Sequence, residues 1–238
     1  MNSGLYTAFS GMRAQMDALD IVSNNLANLN TAGFKEEKAF FTVLDDAMSA
    51  GKEDHSMVQA RSAMSAAEGS LQLTHRDLDV ALTGNGFLVV DAPQGIRYTR
   101  NGQLSINAKS TLCAPGGFPV LGESGKPIVL GPGQVTINDQ GSIYQNGVLI
   151  DRMKIAAFDD PAALAREGNS LLAPARTGVE PKPGEAKVRQ GYLEQSNVNA
   201  VGCVVGLVGI LRQYEAVQKT IDVLMNDVNA KAIEKLSK

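Results

Sequence analysis

The stretch Cys203-Val-Val-Gly-Leu207-Val-Gly-Ile210-Leu-Arg-Gln-Tyr214-Glu-Ala-Val217-Gln-Lys-Thr-Ile221-Asp-Val-Leu224-Met-Asn-Asp-Val228 places an apolar residue at alternating steps of four and three, eight positions without a break. These steps average 3.5 residues, the period at which helices wrap around one another, whereas a helix lying on a sheet shows a wider apolar face. The run predicts a helix of about 38 Å at 1.5 Å per residue, long beside the roughly 11–12 residues of an average helix. A shorter seam stands at the other extremity, where Leu5, Phe9, Met12, Met16, Leu19 and Leu26 follow the same steps with one break at Ser23. Long single-seam helices at both ends of a chain suit pairing with each other and with neighbouring subunits. Two ordinary core helices are the plain alternative.

Gly202, Gly206 and Gly209 share one stripe of the C-terminal run, and each glycine costs a helix interior about 0.8–1 kcal/mol relative to alanine. Either small residues let another helix approach closely there, or the helix starts only near Gly209 and the glycines form a loop.

Between the ends the composition changes. The region from Leu82 to Tyr192 holds all nine prolines and most of the glycines. Short apolar runs alternate with turn residues: Gly86–Asp91, Ile96–Arg100, Gly102–Ile106, Pro127–Leu130, Gln134–Ile137, Ser142–Tyr144 and Met153–Phe158 read as strands. Asn101-Gly102, Pro115-Gly116-Gly117, Asp139-Gln-Gly141 and Asn146-Gly147 read as turns whose glycines supply positive φ. Asp160-Pro161-Ala-Ala-Leu-Ala-Arg166 reads as one or two helical turns with Asp160 as the cap. The fold class expected is α+β: long N- and C-terminal helices forming a coiled-coil-like pair, with a central antiparallel β-rich domain.

The charge balance, 22 Lys and Arg against 25 Asp and Glu, argues against nucleic acid as a partner. Cys113 and Cys203 are far apart and in no ligand-like spacing, which predicts free buried thiols and neither a disulfide framework nor a zinc site. The N-terminus has no basic segment followed by an unbroken apolar stretch, so no cleaved secretory signal is expected. The uncharged stretch Val198–Leu211 has 14 residues against the roughly 20 of a membrane span, so membrane insertion is not expected.

No catalytic constellation emerges. Gly84-Asn-Gly86 lacks the third glycine of a dinucleotide loop, since position 89 is Val. Gly125-Lys126 is followed by Pro127 where a phosphate loop needs Ser or Thr, and Gly122-Glu-Ser-Gly125 falls one residue short of a nucleophile elbow. His55 and His75 are the only imidazoles, and the pairs Asp45-Asp46 and Asp159-Asp160 read as solvated or capping carboxylates. No catalytic residue, cofactor or metal site is assigned, and the chain is read as a non-enzyme.

Residues 21–35, Ile-Val-Ser-Asn24-Asn25-Leu26-Ala27-Asn28-Leu-Asn-Thr31-Ala-Gly33-Phe34-Lys35, closely resemble the N-terminal signature of the flagellar rod and hook family. Further resemblances follow in order at Leu78–Val90, Tyr98-Thr-Arg100-Asn-Gly, Gly117–Gly122, Gln190-Gly-Tyr-Leu-Glu194-Gln-Ser196-Asn197-Val198-Asn, and Arg212-Gln-Tyr-Glu215. The likeness thus spans almost the whole chain. Two departures stand out: Gly202–Gly209 is apolar where the family has acidic and polar residues, and Leu5-Tyr-Thr-Ala-Phe9 begins with Leu where the family's export-gate motif has Phe.

The resemblance implies a structural subunit of the bacterial flagellar basal body, a rod protein that polymerises into the hollow drive shaft for swimming motility. With 238 residues there is no room for the extra outer domains of hook subunits. Val120–Leu130 and the compact segment before Gln190 resemble the proximal rod subunit. The alternatives are a distal rod subunit or a non-flagellar β-domain binding module with dimerising helices. Implied divisions are 1–35 as N-terminal axial helix and signature turn, 36–80 as extended linker or hairpin, 81–195 as β-rich outer domain, and 196–238 as C-terminal axial helix. Implied partners are other rod subunits, further copies of this chain and the flagellar type III export apparatus, in a periplasmic rod. The seam residues Leu5, Phe9, Met12, Met16, Leu19, Leu26, Leu207, Ile210, Tyr214, Val217, Ile221, Leu224 and Val228 would carry the subunit interactions. Asn24, Asn25, Leu26, Ala27, Asn28, Thr31, Gly33, Phe34, Ser196, Asn197 and Val198 would be the family's signature positions.

Overall fold

The computed structural model describes residues 2–45, 56–160, 163–168, 170–176 and 178–236. The chain divides into two compact units, one made of 1–27, 37–63 and 199–238, the other of 28–36 and 64–198.

The first unit is helical. Helix α1 spans Asn2–Ala27 and helix α2 spans Ala200–Leu236, and the two pack against each other. Helix α2 begins before the glycine group, because Asn199 caps it: its Oδ1 accepts the Gly202 amide at 2.9 Å, and its carbonyl accepts the Cys203 amide at 2.9 Å. That excludes the loop alternative. A two-stranded sheet, β1 (Glu37–Asp45) with β2 (Ser56–Met64), lies on α1. Ser10 Oγ accepts the Val58 amide at 3.1 Å, which fixes the hairpin to the helix. Two strands alone are marginally stable in water, so this attachment is what keeps the hairpin ordered.

The second unit is a mainly antiparallel β-domain. A six-stranded sheet runs in the order Leu164–Arg166, Leu172–Pro174, Gly95–Thr99, Phe87–Ala92, Ile155–Ala157 and Lys182–Pro183. Two three-stranded sheets adjoin it in the same unit, Val135–Ile137 with Ser142–Gln145 and Val148–Arg152, and Ser105–Ile106 with Leu112–Ala114 and Phe118–Pro119. Lys187–Gln190 pairs with Val80–Thr83, and Tyr192–Glu194 pairs with Leu71–Leu73.

Phe87–Val90 reads as an unbroken apolar run because it lies between two cores. Leu88, Val90 and Ala92 join the larger cluster with Leu104, Leu112, Val120, Ile128 and Ile143, while Phe87 and Val89 join Tyr98, Phe158 and Leu172 on the opposite face. In the smaller cluster the Phe158 ring meets Tyr98 and Phe87 edge-on, at 4.8 and 6.0 Å between centroids.

Two expectations are corrected. The helical turn expected over Asp160–Arg166 ends at Ala163, whose amide meets the Asp160 carbonyl at 3.0 Å, and Leu164–Arg166 is instead a strand paired with Leu172–Pro174; Pro161 and Ala162 lie outside the described residues. Capping signals act only over one turn, and here sheet pairing with Leu172 and Ala173 prevails. Gly116, Gly117, Gly141 and Gly147 do take positive φ, but Gly102 does not. It is required for space: a Cβ there would stand 1.7 Å from the Val80 carbonyl oxygen.

Candidate functional site

In helix α2, Cys203 and Ile221 are buried and Leu207, Ile210, Tyr214, Val217 and Leu224 are partly covered, whereas almost every other described position of the helix is exposed. The seam is therefore the covered face. On α1 the most deeply buried positions are Ala14, Ala18 and Asn25; Met12, Leu19 and Leu26 are half-buried, while Phe9 and Met16 are exposed. Alanines four residues apart let backbones approach closely, so α1 turns in a face offset from its larger seam residues. The side chains of Leu5 and Val228 lie outside the described residues.

The signature residues build the exit from α1. Asn25 is buried, its Nδ2 donating to the Glu37 carbonyl at 2.7 Å while its Oδ1 accepts the Glu37 amide at 3.0 Å, so one side chain ties the last turn of α1 to the first residue of β1. Asn28 and Thr31 close the following turn, with the Thr31 amide on the Asn28 carbonyl at 3.1 Å and the Thr31 hydroxyl on Asn28 Oδ1 at 3.2 Å. Asn24 and Ala27 are exposed.

Residues 28–36 lie in the β-domain unit, where three distant signatures converge. Gly33, at φ +67°, donates its amide to the Glu194 carbonyl at 2.7 Å. Phe34 is buried beneath the Arg166 guanidinium, 3.8 Å from its ring centroid, and the same guanidinium donates to the Lys35 carbonyl. Lys35 Nζ meets Glu194 Oε1 at 2.5 Å and the Ala67 carbonyl at 2.8 Å. Arg100 Nη1 reaches Glu194 Oε2 at 3.2 Å and the Leu82 carbonyl at 2.9 Å, with Nη2 on the Gly84 carbonyl. The Glu36 amide donates to Asn197 Oδ1 at 2.6 Å, and Asn197 Nδ2 to the Ala67 carbonyl at 2.8 Å. Ser196 Oγ accepts the Val198 amide at 3.3 Å, and Val198 is buried.

One carboxylate thus sits between two cations, and all three side chains are almost wholly buried, 4% exposed at Lys35, 5% at Arg100 and 1% at Glu194. Burial lowers the Lys35 ammonium below its ordinary 10.5, and the Arg100 charge acts in the same direction; the hydrogen bond and charge of Glu194 oppose both. Such a cluster is held together by its completeness, since removing Glu194 would strand two cations away from water. Sequence reasoning quoted all three residues inside family motifs without assigning them a role. Each is the charged member of its motif, which was the available signal, but their meeting is a property of the fold.

Among the described residues no catalytic geometry accompanies this. Cys113 and Cys203 are buried thiols outside any disulfide, and burial raises the Cys113 thiol above its ordinary value against the hydrogen bond from Asn107. His75 is exposed, and Asp159 pairs with Lys182 at 2.7 Å on the surface. His55 and Asp46 lie outside the described residues. Among the described residues no group of three or more His, Cys, Asp or Glu side chains is placed to hold a metal. By length and composition alone, Ala200–Asn226 is apolar enough to cross a membrane, a property that the uncharged-run criterion did not reveal.

Three family models match in chain order: flagella basal body rod protein over residues 5–35, the D1 domain of flagellar hook protein FlgE/F/G over 81–145, and the C-terminal region of flagellar basal body rod FlgEFG protein over 189–224. Lys35, Arg100 and Glu194 fall one in each. The flagellar basal-body rod protein FlgF of Caulobacter vibrioides is 34% identical over 100% of this chain and 99% of its own length. That of Mesorhizobium japonicum is 34% identical over 90% of both chains. The rod protein FlgG of Borreliella burgdorferi is 30% identical over 93% of this chain and 94% of its own.

Proposed function

The chain belongs to the flagellar basal-body rod protein family, and from that premise we propose that it occupies the proximal rod, with α1 and α2 as a coiled-coil-like axial pair and the β-domain as an outer layer. Within the family it is a structural subunit of the basal body that assembles with other rod components. The observation that carries the axial reading is the α2 seam, whose positions from Cys203 to Leu224 are the covered ones among the described side chains of that stretch. The seam residues on both helices are the proposed subunit contacts, and the divisions at 35, 80 and 195 are proposed as functional boundaries.

The chain works by polymerising and catalyses nothing. It leaves the cytoplasm through the flagellar type III exporter, using Leu5-Tyr-Thr-Ala-Phe9, and functions in the periplasm. It is not membrane-inserted: the apolar part of α2 continues into Arg212, Glu215, Lys219 and Asp222, which suits a helix packed among helices. Similarity over nearly the full length to relatives named FlgF and to relatives named FlgG keeps a distal rod position as the second reading. Val120–Leu130 and the compact segment before Gln190 favour the proximal one.

Purified basal bodies carrying an epitope-tagged chain test this directly. The label is expected at the end of the rod nearest the cytoplasmic membrane; label at the far end selects the distal reading, and its absence from basal bodies overturns both. Deleting residues 2–10 without loss of export overturns the exporter assignment.

A further inference from the structure

The chain crosses between the β-domain unit and the helical unit after residues 27, 36, 63 and 198. Three of these crossings meet around one side chain. Asn197 is the next-to-last β-domain residue before the final crossing. Its Oδ1 accepts the amide of Glu36, the last β-domain residue before the second crossing, at 2.6 Å. Its Nδ2 donates at 2.8 Å to the carbonyl of Ala67, on the segment that begins at the third. The main chain repeats the pattern. The Ser65 amide donates to the Glu36 carbonyl at 2.7 Å, the Asn197 amide to the Phe34 carbonyl at 3.4 Å, and the Gln195 amide to the Ser70 carbonyl at 2.8 Å. All of these residues belong to the β-domain unit.

We propose that Asn197 is a positioning residue for assembly: it gathers three of the four crossings at one anchored spot of the β-domain, and subunits whose crossings are loose do not enter the rod. The inference rests on the rod-subunit reading. Two units joined by unbonded linkers move freely by default. Here the amides and carbonyls beside the crossings bond one another, so the backbone rotation that a hinge needs would break those bonds. The residue type is specific. Asparagine presents an acceptor and a donor on one short planar amide, whereas an ionised aspartate only accepts and alanine does neither. The Glu36 N–H needs the acceptor and the Ala67 carbonyl takes the donor, so neither replacement serves both. The same Ala67 carbonyl accepts Lys35 Nζ at 2.8 Å, and the Gly69 amide donates to Glu194 Oε1 at 2.9 Å. The buried ion cluster thus holds these segments on its own side, and replacing Asn197 frees the crossings while the β-domain stays folded.

The test compares full-length Asn197→Ala with Ile143→Val, a control in the buried core that touches no crossing. In the purified Asn197→Ala chain, hydrogen exchange at the Glu36 and Ser65 amides is expected to quicken at least tenfold, with the amides of Phe87–Ala92 unchanged. With the native gene replaced, Asn197→Ala is expected to lower incorporation into basal bodies at least tenfold, and Ile143→Val to leave it within twofold of the parent. Asn197→Asp, which keeps only the acceptor, is expected to fall between Asn197→Ala and the parent. Unchanged exchange at Glu36 and Ser65 overturns the anchor. Faster exchange with normal incorporation overturns its role in assembly. An equal loss with Ile143→Val, or exchange quickened throughout Phe87–Ala92, overturns it as well, because the effect is then general instability. If Asn197→Ala does not fold, Asn197→Asp is judged by the same two readouts. Absence of the unsubstituted chain from basal bodies would instead remove the rod reading, and the assembly role with it.

Discussion

Lys35 and Glu194 lie 159 residues apart in sequence and form a 2.5 Å ion pair that is almost entirely shielded from water. The pair joins the segment leaving α1 to the segment approaching α2, and Arg100, just past the Gly95–Thr99 strand, bonds the other carboxylate oxygen. Glu194→Gln keeps the shape but removes the carboxylate charge that both cations contact, and is expected to destabilise the β-domain by about 3–5 kcal/mol. Chemical denaturation of the full chain, followed by a probe in the β-domain, measures it. A loss under 1 kcal/mol would show that the cluster is not the lock described.

Gly33 is held by conformation and by space together. Its φ is +67°, and a Cβ would stand 2.3 Å from the Arg100 carbonyl carbon and oxygen, which are main-chain atoms without freedom to retreat. The left-handed conformation alone costs a non-glycine residue about 1–2 kcal/mol. Gly33→Ala is therefore expected to lower stability by more than that conformational cost, and to lengthen the amide bond to Glu194. An alanine variant as stable as the parent would mean that residues 28–36 do not dock where they are seen.

The alkaline limb of stability should carry the signature of Lys35. The lysine titrates at 10.5 when unfolded and lower when folded, so between those values the unfolded chain binds more protons and stability rises with pH. Burial raises Tyr98 above 10.0 and Cys113 above 9.0, and both act in the opposite direction over the same range. The comparison must therefore be differential. Parent stability minus that of Lys35→Met is expected to rise as pH climbs towards 10.5, and a difference that is flat or falling contradicts the assignment.

Truncations separate folding from assembly. A chain of residues 28–198 retains Gly33 and Lys35 and is expected to unfold cooperatively with the β-domain's normal midpoint. Removing 1–35 and 200–238 also deletes the Lys35 arm, leaving Glu194 with Arg100 alone, and is expected to cost about 2–4 kcal/mol more. Neither is expected to enter basal bodies. Incorporation of either one would overturn the axial role of the helices.

Much of this protein was legible in its residues because the relevant physics is local. Alternating steps of four and three specify a helix with one covered face, and α2 covers the predicted positions from Cys203 to Leu224. Short apolar runs punctuated by Asn-Gly and Gly-Gly specify antiparallel strands, and Phe87–Ala92 and Ser142–Gln145 are where they were expected. Membership of the rod family also follows from ordered motifs that span the chain.

Other features depended on competition between distant segments. Whether Leu164–Arg166 coils or pairs was decided by a free strand at Leu172–Pro174, and the inward face of α1 by how closely Ala14 and Ala18 admit a neighbour. The Lys35–Glu194–Arg100 cluster could not be read from composition, because an isolated charge in a sequence looks like a solvated one. Only the tertiary structure removes the water, and it is the removal of water that turns three scattered charges into one site.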